Sequence, residues 1–211
     1  MDVTGMRVLY AHGFEGSPEG SKPTYMTNEL GWELTSPVMS ELGWNIEQET
    51  EVLLRILDED GPFDLLAGSS MGALAIANAS ALRPELDMSL LLLAPAFGIS
   101  DLWRTGAGRV KLAIWRLFGS APYYHRGLDE KIRLPWDFIE AADKMSWPKL
   151  AHPTVILHGL QDDIVPIENS RRVASESKHV VALIEIEDGH RMQHAGTRFT
   201  EAANLLGLMP E

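Results

Sequence analysis

The chain contains no cysteine. That excludes disulfides, thiolate metal sites and a cysteine nucleophile. It also lacks any run near the ~18 apolar residues needed to cross a bilayer; its most apolar stretch is the short Leu90-Leu91-Leu92-Leu93. Positive charge is scarce, with 18 Lys and Arg against 30 Asp and Glu, a formal net charge of −12. Such a surface repels phosphate backbones, so neither a nucleic-acid nor a membrane partner is expected. The opening Met1-Asp2-Val3-Thr4-Gly5-Met6 has neither the basic patch nor the apolar run of a signal peptide. With cysteine absent as well, the expected location is cytoplasmic.

What is present is a globular composition, 45% hydrophobic and 23% charged, which rules out disorder as the default. A length of 211 residues supports one buried core and falls short of two, so a single domain over 1–211 is expected.

Strand and helix patterns alternate along the chain. Strands are predicted at Arg7–Ala11, Trp32–Val38, Phe63–Ala67, Met88–Ala94, Thr154–Leu157 and Val180–Ile186. Helices are predicted at Ile46–Leu57, Met71–Leu82, Glu168–Ser177 and Gln193–Leu206. Short strands separated by helices imply βαβ units, hence an α/β protein with a doubly wound, mostly parallel sheet and helices on both faces. One segment breaks the rhythm. Phe97 to Leu150 joins two strands over a distance that a crossover does not need, and is read as a helical insertion, residues 98–148. Four of the six tryptophans lie there, Trp103, Trp115, Trp136 and Trp147, and Phe97 to Leu150 carries a net charge of +3 against −15 for the remainder. Within it Val110, Ile114, Leu117 and Phe118 share a helical stripe, with Arg109 and Arg116 on another face. A lid lining the substrate site and a plain amphipathic helix packed on the domain fit that pattern equally well.

Gly68-Ser69-Ser70-Met71-Gly72 fits G-x-S-x-G between a predicted strand and a predicted helix. That setting gives the pentapeptide a mechanism: a sharp turn lifts the serine hydroxyl above the sheet edge at a helix N-terminus. Glycine is required at 68 and 72 because side chains there would clash across the turn. Ser70 is therefore the candidate nucleophile. Attack on an acyl carbon makes an oxyanion that needs two N–H donors. The amides of Met71, after the nucleophile, and Phe14, after the first strand in His12-Gly13-Phe14, are the candidates. The glycine-rich stretch that follows, Glu15 to Lys22, lacks the spacing of a phosphate loop.

A serine hydroxyl needs a base near neutral pH, and imidazole suits. Of seven histidines, His190 sits after the last strand and before the last helix. His12 and His158 precede glycines at strand ends and are read as packing or turn residues. His194, four residues after His190, offers only a weak metal pairing. Asp188 is read as a turn residue. The orienting carboxylate is expected after the Thr154 strand, where Asp162 and Asp163 are adjacent; Asp162 is preferred. The order Ser70, Asp162, His190 is the nucleophile–acid–base order of one scaffold, and each residue falls at the strand end where open parallel sheets bind ligands.

On His12-Gly13-Phe14, Gly68-Ser69-Ser70-Met71-Gly72, His158-Gly159-Leu160-Gln161-Asp162-Asp163-Ile164-Val165-Pro166 and Asp188-Gly189-His190, the chain resembles the α/β-hydrolase superfamily. The opening His12-Gly13-Phe14-Glu15-Gly16-Ser17-Pro18 is similar to that of the small YqiA-like esterases. The resemblance covers most of the chain outside 98–148. It implies a six-stranded sheet in order 2-1-3-4-5-6 with a helical cap insertion, and it places the acid at Asp162. It also implies hydrolysis of a small carboxylic ester or related acyl substrate, without cofactor or metal. Thioester, peptide or carbon–carbon bond cleavage on the same three residues is an alternative, as is a non-catalytic binding protein that kept the fold.

Overall fold

In the computed structural model, which describes residues 5–209, each predicted strand finds a place in one sheet. Residues 1–4, part of the segment read for a leader pattern, lie outside the described residues. The main sheet comprises β1 (Arg7–Ala11), β2 (Glu33–Thr35), β3 (Leu65–Ser69), β4 (Ser89–Leu93), β7 (Thr154–Gly159) and β8 (Val180–Ile186). Its order is β2-β1-β3-β4-β7-β8, and all neighbours are parallel.

The strands are apolar on both faces because the sheet is covered on both. Leu9, Leu66, Leu90, Leu92 and Ile156 face one core with helices α2 (Ile46–Asp60) and α3 (Met71–Leu82). Val8, Leu65, Leu91, Leu93, Val155 and Leu157 face the other, with α1 (Ser21–Asn28) and α7 (Phe199–Leu205). The leucine run at 90–93 thus divides alternately between two cores, as a period of two requires. Helix α6 (Ile167–Glu176) packs Val173 into the first core. Helix α2 starts at Asn45, whose side chain accepts from the Gln48 amide while Gln48 reaches back to the Asn45 amide.

Three expectations need correction. The insertion is not purely helical. Helix α4 (Ile99–Phe118) is followed by an antiparallel hairpin, β5 (Ser120–His125) and β6 (Glu130–Pro135), and then by α5 (Asp137–Met145). Strands counted along the chain therefore run 2-1-3-4-7-8 across the main sheet, not 2-1-3-4-5-6, because the insertion contributes two of its own. The stripe Val110, Ile114, Leu117, Phe118 does not pack on the domain either; Val110 is 74% and Leu117 79% exposed. The backbone leaves helical geometry at Gly108 (φ 73°, ψ 158°), and beyond that break Trp115 is the residue turned inward, its indole N–H donating to the Leu134 carbonyl at 2.9 Å. Finally, the last helix is shorter than expected. Residues 195–198 form a 3₁₀ turn and α-helix begins only at Phe199.

Candidate active site

β3 runs two residues further than its apolar pattern suggests, since Gly68 and Ser69 pair with Leu92 and Leu93 of β4. The chain then turns at Ser70 into α3. Ser70 has φ 55° and ψ −118°, a backbone conformation costly for a residue with a side chain. It is held by its own amide, which donates to the Leu93 carbonyl at 2.9 Å, and by its carbonyl, which accepts from the amides of Leu74 and Ala96. The turn has no room on its inner side. A Cβ on Gly68 would lie 2.8 Å from the Ile76 methyl, and one on Gly72 would collide with the Ala11 and His12 carbonyl oxygens. The two carbonyls are backbone atoms at the carboxyl end of β1 and cannot yield. Gly72→Ala is expected to destabilise the fold by at least about 1–3 kcal/mol, the usual cost of overpacking, read as a lower Tm.

Four strands deliver residues to the same carboxyl edge. Ser70 follows β3, Phe14 follows β1, Asp162 follows β7 and His190 follows β8. His190 Nε2 lies 2.9 Å from Ser70 Oγ, and His190 Nδ1 lies 2.8 Å from Asp162 Oδ2. A carboxylate only accepts, so Nδ1 carries the proton and Nε2 is free to accept from the hydroxyl. The Asp162 side chain is fully buried. Its Oδ1 accepts from the amides of Ile164 at 2.9 Å and Val165 at 2.8 Å, and its Oδ2 also accepts from His158 Nε2 at 3.1 Å. Burial alone would push this carboxyl up, but the hydrogen bonds from His158, His190 and the Val165 amide together outweigh it and hold it well below the usual carboxylate range.

The sequence marks His158 as a packing or turn residue, and the structure gives it more to do. It is fully buried, with Nδ1 2.7 Å from Ser170 Oγ and Nε2 facing both Asp162 and the Val165 carbonyl. Two acceptors at Nε2 fix the proton there, so Ser170 donates to Nδ1. His158 thereby ties Asp162 to α6. The available signal was its place four residues before Asp162 in His158-Gly159-Leu160-Gln161-Asp162. Asp163, the other candidate acid, is exposed. Asp188 caps its own turn, accepting from the Gly189 and His194 amides. The His194 side chain is 78% exposed, with Nδ1 3.4 Å from Asp188, whereas His190 is committed to Ser70 and Asp162. Among the described residues no group of three or more His, Asp or Glu could hold a metal ion.

The Phe14 and Met71 amides take no hydrogen-bond partner among the described residues. Both residues line, with Ser70 and His190, a cavity of about 1070 Å³. The insertion supplies another wall through Ile99, Leu102, Trp103 and Tyr123. It also grips the Phe14 loop. The Phe14 ring meets Trp44, Trp103, Tyr123 and Phe138 edge-on, with centroids 5.4–6.3 Å apart. The Phe14 carbonyl accepts from His125 Nε2 at 2.6 Å, and Glu15 accepts from the Tyr123 hydroxyl at 2.8 Å. These contacts went unforeseen because the hairpin did.

Residues 7–207 match a family described as "Uncharacterised protein family (UPF0227)". The chain belongs to this family. Within the curated proteins, the UPF0227 chain is 30% identical over 155 residues to "Palmitoyl-protein thioesterase ABHD10, mitochondrial" of Mus musculus, covering 67% of this chain and 50% of the mouse protein. It thus spans about half the length of the curated relative it matches. Among solved structures it is similar to "Alpha/beta hydrolase domain-containing protein 10 from mouse", with a TM-score of 0.72, 22% identity and coverage of 97% of this chain and 90% of that one. It is likewise similar to Est1E from Butyrivibrio proteoclasticus bound to ferulic acid, with a TM-score of 0.75, 22% identity and coverage of 98% and 89%. These likenesses to solved structures establish the α/β-hydrolase fold. No helix among the described residues is long and apolar enough to cross a membrane.

Proposed function

We propose that the chain is a serine hydrolase that cleaves a carboxylic ester or related acyl substrate through an acyl-enzyme, with Ser70 as nucleophile, His190 as base and Asp162 as the orienting acid. One observation carries this reading: the unbroken hydrogen-bonded line from Ser70 Oγ through both nitrogens of His190 to Asp162. In the acylation step His190 Nε2 takes the hydroxyl proton as Oγ attacks the acyl carbon. The developing oxyanion receives the amides of Phe14 and Met71, and the imidazolium returns its proton to the leaving group. Water deprotonated by the same nitrogen then releases the acid. A thioester is the second reading, favoured by the name of the mouse relative; the same steps serve it with a thiol as leaving group. Labelling with a fluorophosphonate, followed by peptide mapping, tests the proposal. A single adduct on Ser70 is expected, and an unlabelled protein or an adduct elsewhere would overturn it.

In this reading residues 1–211 form one catalytic domain, cytoplasmic as the cysteine-free composition suggests, and 98–148 is its cap. The cap also fixes the oxyanion site. His125 holds the Phe14 carbonyl and so sets where the Phe14 amide points. His125→Ala is expected to lower kcat by about 10- to 100-fold, the scale of a small misplacement of a catalytic group, with KM changing less. His125→Gln, which keeps an N–H donor, is expected to recover part of the loss. Initial-rate kinetics on a chromogenic ester would measure both.

A further inference from the structure

The cavity above Ser70 is charged against the trend of the chain. Lys22, Lys111, Arg126 and Arg191 line it, and among the described residues Glu15 is the sole carboxylate on its wall, although acidic residues outnumber basic ones 30 to 18 overall. Glu15 is already engaged by the Tyr123 hydroxyl and the Arg126 amide. None of the four cations forms an ion pair among the described residues. They come from separate places in the fold. Lys22 lies on α1 and Arg191 beside His190, while Lys111 lies on α4 and Arg126 at the end of the hairpin. Lys22 is half-buried, its ammonium donating to the Arg191 carbonyl at 2.8 Å. Burial pushes its pKa down, opposed in part by the charge of Asp188. The cavity, at about 1070 Å³, is also larger than a short neutral ester needs, since sites of roughly 300–1,000 Å³ already hold drug-sized molecules.

We infer that this cavity selects acyl substrates carrying an anionic group, a carboxylate or a phosphate, away from the scissile bond. The inference rests on the hydrolase reading above and names its substrate class. Coulomb attraction to an exposed cation ~6 Å away in water favours an anion by about threefold, so two such cations give about tenfold. The effect must fade as salt shortens the screening length.

The test uses matched esters bearing no charge, a carboxylate or a phosphonate, placed in turn on the acyl side and on the leaving side. Acid release is followed by titration and corrected for each ester's rate with hydroxide. At least one anionic ester is expected to exceed its neutral partner by about tenfold in kcat/KM. That ratio is expected to fall in Lys111→Ala/Arg126→Ala and in ~0.5 M salt, and the better oxyanion and its side identify the source of the charge. Fluorophosphonate labelling of the double variant checks that its site is intact. Equal or better cleavage of the neutral esters on both sides overturns the inference and leaves the hydrolase reading standing. So does an anionic preference that neither the double substitution nor salt reduces. A wild-type protein that takes no probe and cleaves none of the esters overturns both.

Discussion

Ser70→Ala is expected to lower kcat by about 10⁶-fold and to abolish fluorophosphonate labelling, while the fold survives. The size of the loss follows from what the hydroxyl does. Without Oγ no acyl-enzyme forms, His190 has no hydroxyl proton to take and Asp162 has no imidazolium to stabilise, so removing the serine costs about as much as removing all three. What remains, about 10³-fold over water, comes from the amides and the binding surface alone. Stability should change little or rise. Ser70 stands at φ 55°, and this strain is retained with alanine, but the variant no longer places a polar atom against the imidazole. Circular dichroism and Tm separate this outcome from simple misfolding. A variant that keeps wild-type turnover would end the assignment.

Much of this site was legible because its chemistry is local in sequence. The elbow needs Gly68 and Gly72 within two residues of Ser70, and the strand before and the helix after have strong patterns of their own. The length of the Leu90 to Leu93 run suits a strand covered on both faces. The acid was harder. Asp162 and Asp163 are chemically identical, and only the fold shows that Oδ1 of Asp162 closes a turn onto the Ile164 and Val165 amides, which turns Oδ2 toward His190. The insertion was read least well. Its β6 strand does carry a period of two, with Ile132 and Leu134 buried and Lys131 and Arg133 exposed, but four residues of alternation are weak beside a long helical stripe. The stripe itself misled, because Gly108 interrupts the helix and the inward direction is set by one bulky residue, Trp115, against Phe138. His125 acquires its role only through a contact 111 residues away in the chain, which no local pattern records.

Asp162→Asn is expected to lower kcat by about 10⁴-fold with little change in geometry. At this position the carboxylate accepts on both oxygens, from two amides at Oδ1 and two imidazoles at Oδ2. An asparagine can keep only one of these pairs. If its oxygen stays with the Ile164 and Val165 amides, its NH₂ faces His190 Nδ1. That nitrogen must then accept, the ring proton moves to Nε2, and Ser70 meets a donor where it needs a base. The effect on stability has a definite sign. Asp162 is held well below the usual carboxylate range in the folded protein, so its contribution is whole above the ordinary carboxyl pKa of about 3.9 and is lost as pH falls below it. The gap in Tm between wild type and Asp162→Asn should therefore be widest near neutrality and shrink as the solution is taken below ~pH 4. A gap that grows with acidity would mean the carboxyl is protonated in the fold. Because the wild-type carboxylate stays ionised throughout the working range, a fall in kcat/KM on the acid side of neutrality does not report its protonation.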